Sequence, residues 1–142
     1  MHKIMFMGPV QSGKTTLIQA LKGENIHYVK TQAIEFEGMI IDTPGEYIEN
    51  RQYLYALTVT AADADIVVFT QDPTVDSVWY SPGQSSMFNA KIVGVITKCD
   101  IAREDEIKHS EQILKLAGAE KIFKISSITK QGVDNLLEYI SG

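Results

Sequence analysis

Gly8-Pro9-Val10-Gln11-Ser12-Gly13-Lys14-Thr15 spells G-x-x-x-x-G-K-T. An apolar run, Ile4-Met5-Phe6-Met7, enters it as a buried strand would. Thr16-Leu17-Ile18-Gln19-Ala20-Leu21-Lys22 leaves it with helical character, and Gly23 is placed to end that helix. Strand, glycine-flanked turn and helix in this order are the setting a phosphate-binding P-loop requires. The glycines let the backbone wrap closely around a phosphate. Amide N–H groups then point inward, and the helix adds the positive end of its dipole. On this reading Gly8, Gln11, Ser12, Gly13, Lys14, Thr15 and Thr16 contact a nucleotide. Lys14 brings a point charge to the outer phosphates, and Thr15 brings a hydroxyl ligand for Mg²⁺.

Composition narrows the rest. The chain has 142 residues, 44% of them hydrophobic and 22% charged, which suits one domain spanning 1–142 with a substantial core. Net charge is −5 and no Lys/Arg run exists, so the electrostatic footprints of a nucleic-acid binder and of a polybasic membrane patch are both missing. The apolar run after Met1-His2-Lys3 is too short for a signal peptide, and no stretch approaches a bilayer span. Cys99 is the sole cysteine, which excludes an internal disulfide. These features together lead us to expect a soluble protein of a reducing cytosol.

Short apolar segments alternate with helical patterns, the signature of α/β layering. The expected strands are Lys3–Met7, Ala33–Phe36, Met39–Asp42, Ile66–Thr70, Ile92–Thr97 and Lys121–Ile125. Most are continuous apolar runs, as strands covered on both faces should be. Ala33–Phe36 alternates, which suits an edge strand, and Glu37-Gly38 reads as a tight hairpin turn into Met39–Asp42. Segment 104–117 sets Ile107, Leu114 and Ala117 on one helical side, closed by Gly118. Segment 132–140 sets Val133, Leu136, Leu137 and Ile140 on a core face, and segment 51–62 turns Leu54, Leu57 and Thr58 inward. Asp72–Asn89 is irregular, with a short helix expected near Ser85–Asn89. Its Trp79, Tyr80 and Phe88 either dock a partner or cover the sheet, and covering is favoured.

Three further motifs end apolar strands. Asp42-Thr43-Pro44-Gly45 offers a carboxylate for Mg²⁺ and a Gly45 amide for a γ-phosphate. Thr97-Lys98-Cys99-Asp100 offers a carboxylate, Asp100, that can accept two hydrogen bonds from the N1–H and amine of guanine; adenine has no matching donor pair. The Lys98 stem can lie against a base plane and the P-loop. Ser126-Ser127-Ile128 offers backbone N–H to a base carbonyl. Each alone is equally a polar turn after a strand. Jointly, all four motifs lie at carboxyl ends of strands, where open α/β sheets bind ligands.

In these motifs and their order the chain resembles the Ras-like small GTPase domain of the P-loop NTPases over nearly its whole length. The resemblance implies a three-layer P-loop NTPase fold with a six-stranded, mostly parallel sheet, one antiparallel edge strand and helices on both faces. Gly8 to Thr15, Lys30-Thr31-Gln32-Ala33-Ile34 and Asp42-Thr43-Pro44-Gly45-Glu46-Tyr47 together resemble the EutP/PduV family of bacterial ethanolamine- and propanediol-utilisation operons. That likeness implies a cytoplasmic protein associated with microcompartment metabolism, with a shell or enzyme component as partner. It also implies that Thr31 is the switch threonine meeting Mg²⁺ and the γ-phosphate. Thr43 is the rival at that place, and Thr31 is favoured because it lies just before the edge strand. The implied metal set is Thr15, Thr31 and Asp42, and the catalytic set is Lys14, Thr31 and Glu46. Gly45, Thr97, Lys98, Asp100, Ser126 and Ser127 complete the nucleotide contacts.

Several residues depart from the Ras-like pattern. Glu46 stands where a water-positioning Gln is usual. A carboxylate there faces a negative γ-phosphate, so slow intrinsic hydrolysis is expected; the bland alternative is a solvent-facing loop residue. Thr97 stands where many GTPases carry Asn, which argues for modest nucleotide affinity. Gln11 replaces the Asn of potassium-activated relatives, so no potassium dependence is expected. Arg51 and Arg103 are the only arginines, so an arginine finger in cis is not expected; Arg51, just past the second motif, is an outside candidate better read as a helix-surface charge. His2, His27 and His109 form no metal pattern, and Cys99 reads as a small apolar residue beside the base pocket. The leading function is a Mg²⁺-dependent GTP/GDP switch or slow GTPase. The alternative is a phosphotransferase, tolerant of ATP, that moves a γ-phosphoryl group to or from a small carboxylate such as acetate. A non-catalytic docking module stabilised by nucleotide is the third.

Overall fold

The run ahead of the glycine turn forms β1 (Ile4–Met7), fully buried along its length. The computed structural model describes residues 3–9, 12–22, 35–37, 40–43, 45, 53–75 and 80–141. After β1 come α1 (Lys14–Lys22), β2 (Glu35–Glu37), β3 (Ile40–Asp42), α2 (Leu54–Thr60), β4 (Ile66–Gln71), β5 (Lys91–Ile96), α3 (Glu104–Ala117), β6 (Lys121–Lys124) and α4 (Val133–Ser141). Two 3-10 turns accompany them, Ala61–Asp63 between α2 and β4 and Gln84–Met87 between β4 and β5.

The six strands form one sheet in the order β2-β3-β1-β4-β5-β6. Only β2 runs antiparallel, pairing Phe36 with Ile41. The central strands are parallel and mostly apolar, as strands covered by helices on both faces are. Alternate residues therefore feed two separate cores. Met5, Met7, Val67, Phe69, Ile92 and Ile96 meet Leu57 of α2 and Leu114 of α3 on one face. Ile4, Phe6, Ile66, Val68, Val93 and Val95 meet Leu17 of α1 and Leu136 of α4 on the other. Gly94 lets α3 press onto β5, since a Cβ there would lie 3.0 Å from Leu114 Cδ1.

The expected helices and strands are present, with shifts that have physical causes. Glu37, expected in the hairpin turn, is the last residue of β2 and pairs with Ile40. The 51–62 helix is regular over Leu54–Thr60 and tightens to a 3-10 turn at Ala61; Leu57 is buried and Thr58 half-buried. Leu137 is 40% exposed, a correction to its expected core position. α4 sits over the sheet through Val133, Leu136 and Ile140, a stripe too narrow to include it. Gly118 ends α3 in the left-handed conformation at φ 108°, as its place in the sequence requires. Tyr80 and Phe88 cover the sheet: Tyr80 stacks on Phe69 at 4.6 Å, and Phe88 meets the same ring edge-on. Trp79, Arg51, Gly23 and the 38–39 link lie outside the described residues. Among the described residues, no helix is long and apolar enough to cross a membrane.

Candidate functional site

Parallel pairing brings five loops to one edge of the sheet: those after β1, β3, β4, β5 and β6. The loop after β1 is the glycine-flanked turn. Ser12 N–H donates to the Pro9 carbonyl at 3.1 Å, Gly13 takes φ 94°, and α1 begins at once with Lys14. The turn is seated against its neighbours from beneath. Thr70 Oγ1 donates to the Met7 carbonyl at 2.8 Å and shares a 3.2 Å hydrogen bond with Ser12 Oγ. The Tyr80 hydroxyl lies between the carbonyls of Thr70, at 2.8 Å, and Met7, at 3.2 Å. Burial pushes that phenol well above its ordinary range and outweighs the Thr70 bonds, so it stays a donor. Gly8 is obligatory in this packing, since a Cβ there would stand 1.9 Å from Thr70 Oγ1.

Thr97 supports the turn from the side. Its hydroxyl donates to the Ser12 carbonyl at 2.6 Å, with Gly13 packed so closely that a Cβ would lie 3.2 Å from Thr97 Cβ. A short hydroxyl therefore reaches the P-loop backbone directly, and Thr97 is only 2% exposed.

Lys14 is 4% exposed, and its ammonium lies between Asp42 Oδ1, at 2.5 Å, and the Thr43 carbonyl. Asp42 is nearly as buried, held at the end of β3 opposite Phe6. Thr43 has its hydroxyl on the Phe6 carbonyl at 2.8 Å and is fully buried. Gly45 is buried, and Thr15 and Thr16 are half-buried. Thr15 and Asp42 supply hard oxygen donors, the chemistry Mg²⁺ takes. Among the described residues, no cluster of three His, Cys, Asp or Glu could cage a metal alone. A two-residue oxygen set completed by phosphate and water is how Mg²⁺ is usually held, so the residues fit the ion.

The loops after β5 and β6 are bound to each other. Ile125 N–H donates to the Ile96 carbonyl at 2.8 Å, and Cys99 N–H donates to the Ile125 carbonyl at 3.1 Å. Between them and the P-loop lies a cavity of about 140 Å³, lined by Gly13, Thr16, Thr97, Lys98, Asp100, Ser127 and Ile128. Residues far apart in sequence thus meet around a space open at the sheet edge. Ser126 is not among the lining residues; its buried hydroxyl accepts from Thr129 N–H at 3.1 Å and braces the loop. Cys99 packs against the core, and burial raises its thiol pKa. Gln11, Thr31 and Glu46 lie outside the described residues.

Two residues at this edge, Thr70 and Asp72, escaped the sequence reading as site residues, and Tyr80 was read there only as a cover for the sheet. Asp72 is 5% exposed and accepts from Lys98 Nζ at 2.7 Å through Oδ2, and from Thr74 N–H and Oγ1 through Oδ1. Its desolvation raises the carboxyl pKa, but the bonds from Lys98 and Thr74 and the ammonium charge outweigh this and hold it below the usual value. One signal was available: Asp72 directly follows a buried apolar strand, as Asp42 ends one.

Strand order, the antiparallel β2 and the seated turn after β1 define the fold of the P-loop GTPases. The translation elongation factor SelB of Methanococcus maripaludis, solved with the GTP analogue GppNHp, aligns at TM-score 0.69 and 25% identity over 99% of this chain and 33% of its own. This chain therefore spans about a third of that structure. The chain belongs to the PduV-EutP family, ethanolamine utilisation - propanediol utilisation, matched over residues 1–142. The propanediol utilization protein PduV of Citrobacter freundii is 41% identical over 99% of this chain and 94% of its own length. A protein of Escherichia coli K12 named probable acetate kinase EutP is 32% identical over 99% of this chain and 90% of its own.

Proposed function

We propose that this chain binds guanine nucleotides with Mg²⁺ and hydrolyses GTP slowly, as a nucleotide-dependent switch within ethanolamine or propanediol utilisation. The observation that supports this most is the cavity shared by Gly13 of the loop after β1, Thr16 of α1, Thr97, Lys98 and Asp100 of the loop after β5 and Ser127 of the loop after β6. A base seated there has the Asp100 carboxylate at its edge, and the phosphates run along the Ser12–Thr15 amides toward Lys14. Thr15 and Asp42 would hold Mg²⁺, which supplies neutralisation of phosphate charge when bound. Thr31 and Glu46 carry the switch and hydrolytic roles in the same reading, with Ser127 and Gly45 offering backbone N–H. A shell or enzyme component of a microcompartment is the partner that the family's metabolic setting suggests.

The name of the Escherichia coli relative favours one second reading, phosphoryl transfer from a nucleotide to a small carboxylate. That chemistry needs a cation for the acceptor. Among the described residues that line the cavity the one cation is Lys98, and it lies on Asp72. Hydrolysis is therefore the better supported reaction.

Displacement of fluorescent GDP by unlabelled GDP and ATP tests the base, with GDP expected to compete far better. Equal competition would remove Asp100 from its role. GTP hydrolysis in buffer, run beside phosphoryl transfer from ATP to acetate, tests the reaction class. Acetyl phosphate formation faster than hydrolysis would reverse the preference.

A further inference from the structure

We propose that Asp72 is a positioning residue for base selection: by holding the Lys98 ammonium at the end of β4, it keeps that charge off Asp100 and lays the Lys98 stem along the pocket wall. The inference rests on the guanine-nucleotide reading above. Lys98 and Asp100 lie two residues apart and line the same cavity. An unrestrained lysine there has an exposed carboxylate within easy reach, and pairing with it would occupy the oxygens that a guanine edge needs. The structure directs the ammonium the other way. Nζ lies 2.7 Å from Asp72 Oδ2, a contact that spans 26 residues of chain. The Lys98 backbone is turned into the left-handed region at φ 56°.

Asp72 is built to stay in place. It is 5% exposed, and its second oxygen accepts both Thr74 N–H, at 2.9 Å, and Thr74 Oγ1, at 2.6 Å. With that oxygen fixed, the carboxylate presents Oδ2 to Lys98 in one orientation. Lys98 remains 36% exposed, so the pair also decides where its charge and its methylenes lie.

The test measures dissociation constants of GDP, ADP and inorganic pyrophosphate, each with Mg²⁺, for the wild type, Asp72→Asn, Lys98→Met and the double variant. Asp72→Asn is expected to weaken GDP by about tenfold, the worth of one hydrogen-bonded charge, and to leave ADP and pyrophosphate unchanged. The preference for GDP over ADP narrows accordingly. Without an ammonium to misplace, Asp72→Asn in the Lys98→Met background narrows it no further. Thr74→Val, at an exposed position, loosens the same carboxylate and shifts the GDP-to-ADP ratio in the same direction by about twofold; it serves if Asp72→Asn does not fold. An unchanged ratio in the folded Asp72 variant, or in Thr74→Val when it alone is available, overturns the proposal. So does equal loss of all three ligands, or a double variant narrower than Lys98→Met alone. A wild type with no preference for GDP over ADP would instead strike at the guanine reading itself.

Discussion

Lys14 holds Asp42 in a site from which both are almost excluded from water. Lys14→Ala therefore does two things. It removes the charge offered to phosphate, and it leaves a buried carboxylate without its ammonium, a loss of about 3 kcal/mol. Urea unfolding should show the second effect and calorimetry with GDP the first; an alanine variant that binds GDP as the wild type does would refute the P-loop role. Thr97→Val keeps the shape and deletes the hydroxyl on the Ser12 carbonyl, which should lower stability by about 1 kcal/mol and speed GDP release in stopped flow. Glu46→Gln should raise the single-turnover rate of GTP hydrolysis, because a neutral amide can orient water without facing the γ-phosphate with like charge. An unchanged rate would leave Glu46 without a part. At this scale the residue types of the four motifs were legible, since each motif is a short run of neighbouring residues at the end of an apolar strand. The partners of Lys14, Thr97 and Lys98 were not, because they lie 26 to 85 residues away in sequence.

The element that decides the site is the turn from β1 into α1, and its shape depends on β4. Gly8 packs directly on Thr70, so Gly8→Ala must push the turn off its seat. A loss of about 2 kcal/mol, as for an overpacked core, is expected, along with weakened GDP and pyrophosphate binding to the same degree. A variant of wild-type stability and affinity would mean that the turn yields freely. The helices and strands themselves followed from periodicity and from the glycine that ends α3. Their errors were local. Leu137 matched a helical spacing, but α4 meets the sheet through a narrower stripe. Tyr80 was expected only to cover the sheet, whereas its hydroxyl also bonds the ends of β1 and β4. Nothing in the 72–89 composition reveals that bond, because it joins an irregular segment to a carbonyl 73 residues away.

For the whole molecule, ligand binding and proton binding both act on folding. Saturating Mg²⁺·GDP at a hundredfold its dissociation constant should add about 2.7 kcal/mol, a rise in melting temperature of about 8 °C for a domain of this size; ATP at the same concentration should add much less. Asp72 has a lower pKa folded than unfolded, so the unfolded chain binds its proton first as pH falls. Its contribution is fully present above about pH 4 and is lost as pH falls through the folded value. Urea midpoints measured from neutral to acid pH should therefore fall less steeply for Asp72→Asn. Short apolar strands, a glycine-flanked turn and carboxylates at strand ends were enough to determine the fold class and the order of the four motifs, since periodicity and loop chemistry are local properties. Only the tertiary structure decided how the loops support one another, with Thr97 on the P-loop carbonyl and Asp72 on Lys98, because parallel strand pairing brings together groups that the chain keeps far apart.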